Sequence, residues 1–185
     1  MHGVNDEFVF LDDEDRCGYV AMLAATAARY RWLCLSYCLM GTHVHLLVET
    51  PEPNFASGMR WLHGHYARCF NEHRSRRGHL FKGRYHDEPV VTDGHLINAV
   101  GYIAANPVEA GLCADPRDWR WGSHHSVATG APRSWMAHYR LLDRLEAITG
   151  SRQSYDSIVA SRLGAMAPEG SDPFEALRES VHPEL

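Results

Sequence analysis

Lysine is almost absent from this chain: among 18 lysine and arginine residues, Lys82 alone is a lysine. Its basic chemistry is therefore guanidinium chemistry, the planar fork that grips phosphate through paired hydrogen bonds and stacks on aromatic rings. No apolar run approaches the ~20 residues of a membrane-spanning helix, so no membrane partner is expected. Met1-His2-Gly3-Val4-Asn5-Asp6 lacks the charged and apolar regions of a signal peptide, and a cytoplasmic protein is expected. The cysteines Cys17, Cys34, Cys38, Cys69 and Cys113 are odd in number and scattered, which excludes a disulfide framework and points to a reducing compartment. Cys34 and Cys38 read as buried packing rather than a ligand pair. No internal repeat is visible, and 185 residues are too few for an eight-stranded α/β barrel.

What the chain does carry is charge of uneven sign. The formal balance is −5, yet between Arg60 and His86 the basic side chains Arg60, Arg68, Arg74, Arg76, Arg77, Lys82 and Arg84 meet only one acid, Glu72. Five histidines lie in the same stretch. Local charge governs partner choice more than the total does, so this segment is a candidate surface for phosphate and bases. A solvated helix face is the competing explanation.

The most informative motif is Thr42-His43-Val44-His45-Leu46-Leu47-Val48. Its alternation is that of a strand with one apolar face, and the period of two puts both imidazoles on the other face. Val44, Leu46 and Val48 are expected in the core, and His43 and His45 are displayed side by side as potential metal ligands. Upstream, Leu33, Leu35, Tyr37 and Leu39 alternate with Trp32, Cys34, Ser36 and Cys38, and Met40-Gly41-Thr42 is a turn-sized break, so a hairpin is expected. The histidine face should then carry the small side chains Cys34, Ser36 and Cys38, leaving room for a ligand.

Around the hairpin, Asp12 or Asp13 caps a helix expected to run to about Arg31. A second helix is expected from about Asn54 to Arg74, with Phe55, Met59, Leu62, Tyr66 and Phe70 buried and the basic residues on its other side. Leu80-Phe81-Lys82-Gly83-Arg84-Tyr85 reads as strand-like, with aromatics interleaved among cations as on a single-strand binding surface. Thr92 or Asp93 caps a third helix. In it Leu96, Val100 and Ile103 form an apolar stripe, while Asn98, Tyr102 and Asn106 form a polar one at i, i+4 and i+8. Pro107 is expected to end or kink that helix. An aromatic loop from Asp115 to Ser123 and helices from about Trp135 to Thr149 and Tyr155 to Leu163 should follow, with a weakly ordered acidic tail from Ala165.

Three blocks in this order resemble one family closely. They are Tyr37-Cys38-Leu39-Met40 leading into the histidine strand, Gly78-His79-Leu80-Phe81-Lys82-Gly83-Arg84-Tyr85, and Tyr102-Ile103 followed by Asn106-Pro107-Val108 and Ala110-Gly111-Leu112. The sequence resembles the REP-associated tyrosine transposases, within the single-tyrosine HUH transposases of the insertion-sequence-200-like type. That resemblance implies an α/β (α+β) ferredoxin-like domain, an antiparallel sheet with helices packed on it, over residues 1–130. A helical extension over 131–165 and the acidic tail over 166–185 complete the expected organisation. It further implies that His43, His45 and Asn106 bind a divalent cation and that Tyr102 is the nucleophile. Two imidazoles with an amide oxygen and no thiolate favour Mg²⁺ or Mn²⁺ over structural zinc. The implied substrate is single-stranded DNA bearing a REP-type hairpin, held by Arg60, Arg68, Arg74, Arg76, Arg77, Lys82 and Arg84, and cut through a 5′-phosphotyrosine intermediate. Two departures stand out. Family members begin with a strand ending in Arg-Gly, and here Met1 falls almost where that strand should finish, at His2-Gly3, so the first strand is expected to be missing: either the true start lies upstream, or Val4 to Phe10 partly substitutes, or the product is degenerate. Gly41-Thr42 also replaces a more usual proline and asparagine.

Other readings stay open at this level. The chain is alternatively an inactive or truncated protein of the same fold that binds hairpin DNA without cutting it. A small zinc hydrolase would hold zinc tightly and be indifferent to Tyr102. Two histidines on a strand also pack in many proteins without binding anything.

Overall fold

The computed structural model describes residues 3–4, 7–83, 85–151 and 154–166. Two compact units emerge, Met1–Pro89 with Arg133–His138, and Val90–Pro132 with Tyr139–Leu185. The first unit holds helix α1 (Asp13–Tyr30), strands β1 (Leu33–Leu39) and β2 (Val44–Glu49), and helix α2 (Phe55–His73). The second holds α3 (Asp93–Glu109), a 3₁₀ turn (Pro116–Asp118), α4 (Ser123–Ala128), α5 (His138–Thr149, whose first residue belongs to the first unit) and α6 (Ser154–Met166). The class is mixed α/β, a two-stranded antiparallel sheet with helices packed against it.

Local chemistry sets the start of α1. The Asp12 side chain accepts a hydrogen bond from the Asp15 backbone N–H, and Asp13, Glu14 and Asp15 place negative charge in the first turn, where the helix dipole favours it. In the hairpin, Leu39 pairs with Val44, Cys38 with His45, Tyr37 with Leu46 and Ser36 with Leu47. The register then shifts between Cys34 and Ser36, so that Cys34 faces Val48. Leu35 is the extra residue of this bulge, and an extra residue reverses the facing of everything beyond it. Cys34 therefore leaves the histidine face on which regular alternation would put it, while Ser36 and Cys38 stay there. Nor is that face simply open: Cys34 to Leu39 are all buried, as is Leu47 on the histidine side. Val44 is buried, and Leu46 and Val48 pack on a core of Ala27, Trp32 and Met59.

Chain ends of the first unit grip the hairpin. Gly3 N–H donates to the Thr42 carbonyl at 2.8 Å, and Val9 N–H to that of Gly41 at 3.0 Å. At the other edge of β1, Ala137 N–H donates to Cys34 O at 2.9 Å and the Arg133 Nε donates to the Tyr37 hydroxyl at 2.8 Å. The strand expected over Leu80–Tyr85 is not formed among the described residues. Leu80 and Phe81 are buried, but their ladder shrinks to a bridge between Gly3 and Phe81 and one hydrogen bond from Val4 to Leu80 O. Gly83, at φ +63°, turns the backbone out of the extended region just beyond.

Helix α2 buries Met59, Leu62, Tyr66 and Phe70 as its spacing requires, while Phe55, at its first position, is only half-buried against the Trp32 cluster. Its start has no side-chain cap, because Asn54 is used elsewhere: Oδ1 accepts from Trp32 Nε1 at 2.8 Å and Nδ2 donates to Tyr30 O at 2.9 Å. That brings Trp32 against Gly58, where a Cβ would stand 2.1 Å from Trp32 Cζ2. Beneath the helix, Phe10, Tyr19 and Tyr66 form an aromatic cluster with centroids 5.0 to 5.6 Å apart. His63 joins it, its Nε2 3.0 Å from the Tyr19 hydroxyl. Burial pulls the His63 pKa down to about 3.

In the second unit, the Thr92 hydroxyl caps α3 by accepting from His95 N–H. Leu96, Val100 and Ile103 are buried, as their stripe demands. Pro107 does not end the helix, which runs on to Glu109. The position lies less than one turn from the helix end, so the lost N–H bond weakens little of the ladder, and the proline ring is fully buried. Gly101 lets α6 approach, with Ile158 and Arg162 side chains 3.4 Å from where its Cβ would be. The expected aromatic loop is a 3₁₀ turn capped by Asp115 and followed by α4, and the next helix begins at His138 rather than Trp135. Trp135 instead stacks on Tyr37, 6.0 Å between centroids. The acidic tail after Met166 lies outside the described residues.

Gly58→Ala should lower stability by about 1–3 kcal/mol in urea unfolding, the cost of overpacking. Helix propensity alone would stabilise by about 1 kcal/mol, so the sign reports the Trp32 contact. His63 supplies a pH prediction. Its folded pKa lies below its unfolded value, so the unfolded chain binds the proton first, and stability present above pH ~6.5 is lost as pH falls toward 3. In urea titrations, His63→Gln should remove up to about 1.4 kcal/mol per pH unit of that slope.

Candidate functional site

His43 is the bridge residue just before β2, and His45 is its second residue. Their rings meet edge to face, 4.8 Å between centroids at 90°. The Thr42 hydroxyl lies 3.0 Å from His43 Nδ1, a hydrogen bond that fixes the ring's rotation. His43 is half-buried, and His45 Nε2 is shielded from solvent. The strand thus presents two imidazoles side by side, as its alternation predicts.

Among the described residues no group of three or more His, Cys, Asp or Glu side chains converges on a metal position. A structural zinc site closes its tetrahedron with such ligands. A cation held by the two imidazoles would need its remaining positions filled from elsewhere, by amide, water or phosphate oxygens.

Tyr102 and Asn106 come together on α3 in the second unit. Asn106 is buried, and its Nδ2 donates to the Tyr102 carbonyl one turn back at 3.4 Å. Tyr102 is 40% exposed, so its ring is accessible while its neighbours Gly101 and Ile103 are buried. The Arg162 guanidinium of α6 stands 5.6 Å from the Tyr102 centroid. Arg162 Nε also donates to Glu109 Oε1 at 2.8 Å, closing a tie between α6 and α3. No sequence pattern links Arg162 to Tyr102, sixty positions earlier. Thr42, by contrast, carries a visible signal, since it sits next to the histidine it holds.

The basic residues separate into two classes. Arg60, Arg68, Arg77 and Lys82 are exposed, whereas Arg84 lies outside the described residues. Arg74 is committed to acids: it bonds Asp12, and its Nη2 lies 3.0 Å from Asp15 Oδ2, joining α2 to α1. The Arg74 guanidinium holds the Asp12 carboxyl below the usual carboxylate range. Arg76 likewise pairs with Glu7 at 2.8 Å and donates to the His79 carbonyl at 2.9 Å. Both are thus engaged in ion pairs within the first unit, which sets them apart from the exposed Arg60, Arg68, Arg77 and Lys82. The helix end places acids of α1 and the N-terminal segment within their reach, and an ion pair removes most of the outward field of the charge.

Residues 4–106 match the model of the family described as Transposase IS200 like. A Haemophilus influenzae protein, whose name places it among the REP-associated tyrosine transposases, is 29% identical over 111 residues. The aligned region covers 54% of this chain and 63% of that relative, less than two thirds of its length. No solved structure matches the chain. The matched span holds His43, His45, Tyr102 and Asn106 and takes in more than half of the sequence, and the chain belongs to the IS200-like transposase family.

Proposed function

We propose that this chain cleaves and rejoins single-stranded DNA bearing a REP-type hairpin, through a 5′-phosphotyrosine intermediate. The observation that carries the proposal is Tyr102: an accessible phenol on a rigid, capped helix, one turn before Asn106, in a family of transposases. Tyr102 Oη attacks the scissile phosphorus, the bond to the 3′ oxygen breaks, and the released strand leaves as a 3′-hydroxyl carrying a proton. The phenol gives up its own proton in the same step. Attack by a 3′-hydroxyl on the phosphotyrosine reverses the exchange and restores the tyrosine, so no external energy source is needed.

His43, through the nitrogen opposite the Thr42 contact, His45 and the Asn106 amide oxygen are the donors that would hold a divalent cation, Mg²⁺ or Mn²⁺. Such a cation, when bound, polarises the phosphate and neutralises charge on its oxygens. Thr42 keeps the His43 ring in one rotation, so coordination costs little ordering entropy. Arg162, anchored by Glu109, limits the swing of the Tyr102 ring. Arg60, Arg68, Arg77 and Lys82 are the exposed cations suited to the DNA backbone.

With a single-stranded hairpin and Mn²⁺, the wild type should yield a covalent protein–DNA band on a denaturing gel. Tyr102→Phe should abolish the band while hairpin affinity survives; adduct at wild-type yield would move the nucleophile elsewhere. His43→Ala should remove the metal dependence along with most cleavage, and a wild type equally fast in chelator would contradict that role. The arginine classes are separable too. Arg77→Gln should reduce the salt slope of binding by about 1 without loss of stability. Arg74→Gln, which leaves the buried Asp15 carboxylate with the Leu11 N–H as a donor but without the guanidinium, should lower the urea midpoint.

A further inference from the structure

Arg60, Gly64 and Arg68, with Trp61 and His65 beside them, recur at helical spacing on the side of α2 turned away from Leu62, Tyr66 and Phe70. Together with Tyr30 at the end of α1 they line an open groove of about 410 Å³, within the range of small-ligand sites.

Its walls are aromatic and ordered. The Trp61 and His65 rings stack with centroids 4.3 Å apart at 28°. His65 Nδ1 lies 2.8 Å from the Trp61 carbonyl. A carbonyl oxygen only accepts, so Nδ1 carries the hydrogen, and the neutral ring presents Nε2 as an acceptor. From α1 the Arg29 guanidinium stands 5.9 Å from the Trp61 centroid and 5.8 Å from that of Tyr30, spanning the two. The rims are cationic, since Arg60 and Arg68 are exposed.

Gly64 supplies an independent observation. A Cβ there would meet nothing within 4 Å, so packing does not demand a glycine. In mid-helix the residue costs about 1 kcal/mol relative to alanine. What the missing side chain does provide is an unobstructed groove floor.

We propose that this groove stacks one unpaired base of single-stranded DNA against the Trp61–His65 pair, while Arg60 and Arg68 grip the flanking phosphates. Charge and shape both favour that occupant. An acidic peptide would satisfy the guanidinium groups but would offer no planar face to the stacked rings, whereas a nucleotide offers both. The inference rests on the DNA reading above and adds to it a strand-holding subsite built from residues that take no part in the reaction.

The test is fluorescence anisotropy of the full chain with a short labelled oligothymidylate and with an abasic strand of equal length. The wild type should bind oligothymidylate about tenfold more tightly than the abasic strand, the size of one base stack. Trp61→Ala and Gly64→Leu should each erase that preference and leave abasic affinity in place, whereas Trp61→Phe should keep most of it. Gly64→Leu removes no contact and improves helix propensity, so its urea midpoint should equal or exceed that of the wild type, which separates a filled groove from an unfolded protein. Equal wild-type affinity for the two strands, or an undiminished preference in Gly64→Leu, overturns the groove. If the covalent band still forms in that event, only the groove is lost. Absence of both adduct and any DNA binding in the wild type would remove the DNA reading itself.

Discussion

Pairing of Cys38 with His45 across the hairpin is the constraint from which the imidazole pair follows. A slip of one residue would turn both rings to the opposite face and bury them among the partners of Leu46 and Val48. Several contacts resist that slip. The turn is clasped by Gly3 and Val9 through the carbonyls of Thr42 and Gly41, and the aromatic edge of Phe8 lies so close to Gly41 that a Cβ there would stand 2.7 Å from it. On the far edge Ala137 bonds to Cys34, at the bulge itself. The strand that displays the histidines is therefore held by segments from both ends of the first unit.

Helix α2 divides its labour around its circumference. One side closes the core over Tyr19, Phe10 and Leu62, with His63 kept neutral by burial and bonded to the Tyr19 hydroxyl. The other side carries stacked rings and exposed guanidinium groups. At the helix end the arginines change role: Arg74 and Arg76 serve as ties to Asp12, Asp15 and Glu7. A run of basic residues is thus two things at once, a clamp within the first unit and an outward field, and only burial and ion pairing sort its members.

Much of this is legible in the amino-acid order alone. The Asp12 and Thr92 caps act within three residues, and the periods of the histidine strand, α2 and α3 follow from which faces are apolar. The expectations that fail share a different origin. Leu80 to Tyr85 has strand composition, but a strand needs a partner, and among the described residues only Gly3 and Val4 bond to it. Pro107 is a helix breaker by local rules, yet it lies less than one turn from the end of α3 with its ring buried, and the helix runs on to Glu109. The bulge at Leu35 leaves no mark in composition, and only the pairing of β1 with β2 reveals it.

By itself the sequence determined what depends on near neighbours: two imidazoles on one strand face, a tyrosine one turn before an asparagine, helix starts, and a guanidinium-rich segment. Contacts between distant segments were decided only by the tertiary structure. It brought Arg162 over Tyr102, set Trp32 against Gly58, drew Arg74 to Asp15, and opened a groove beside Gly64. The physical reason is that capping and periodicity act within a turn or two of chain. Ion pairing, close approach and empty space depend on which surfaces meet after the chain has folded back upon itself.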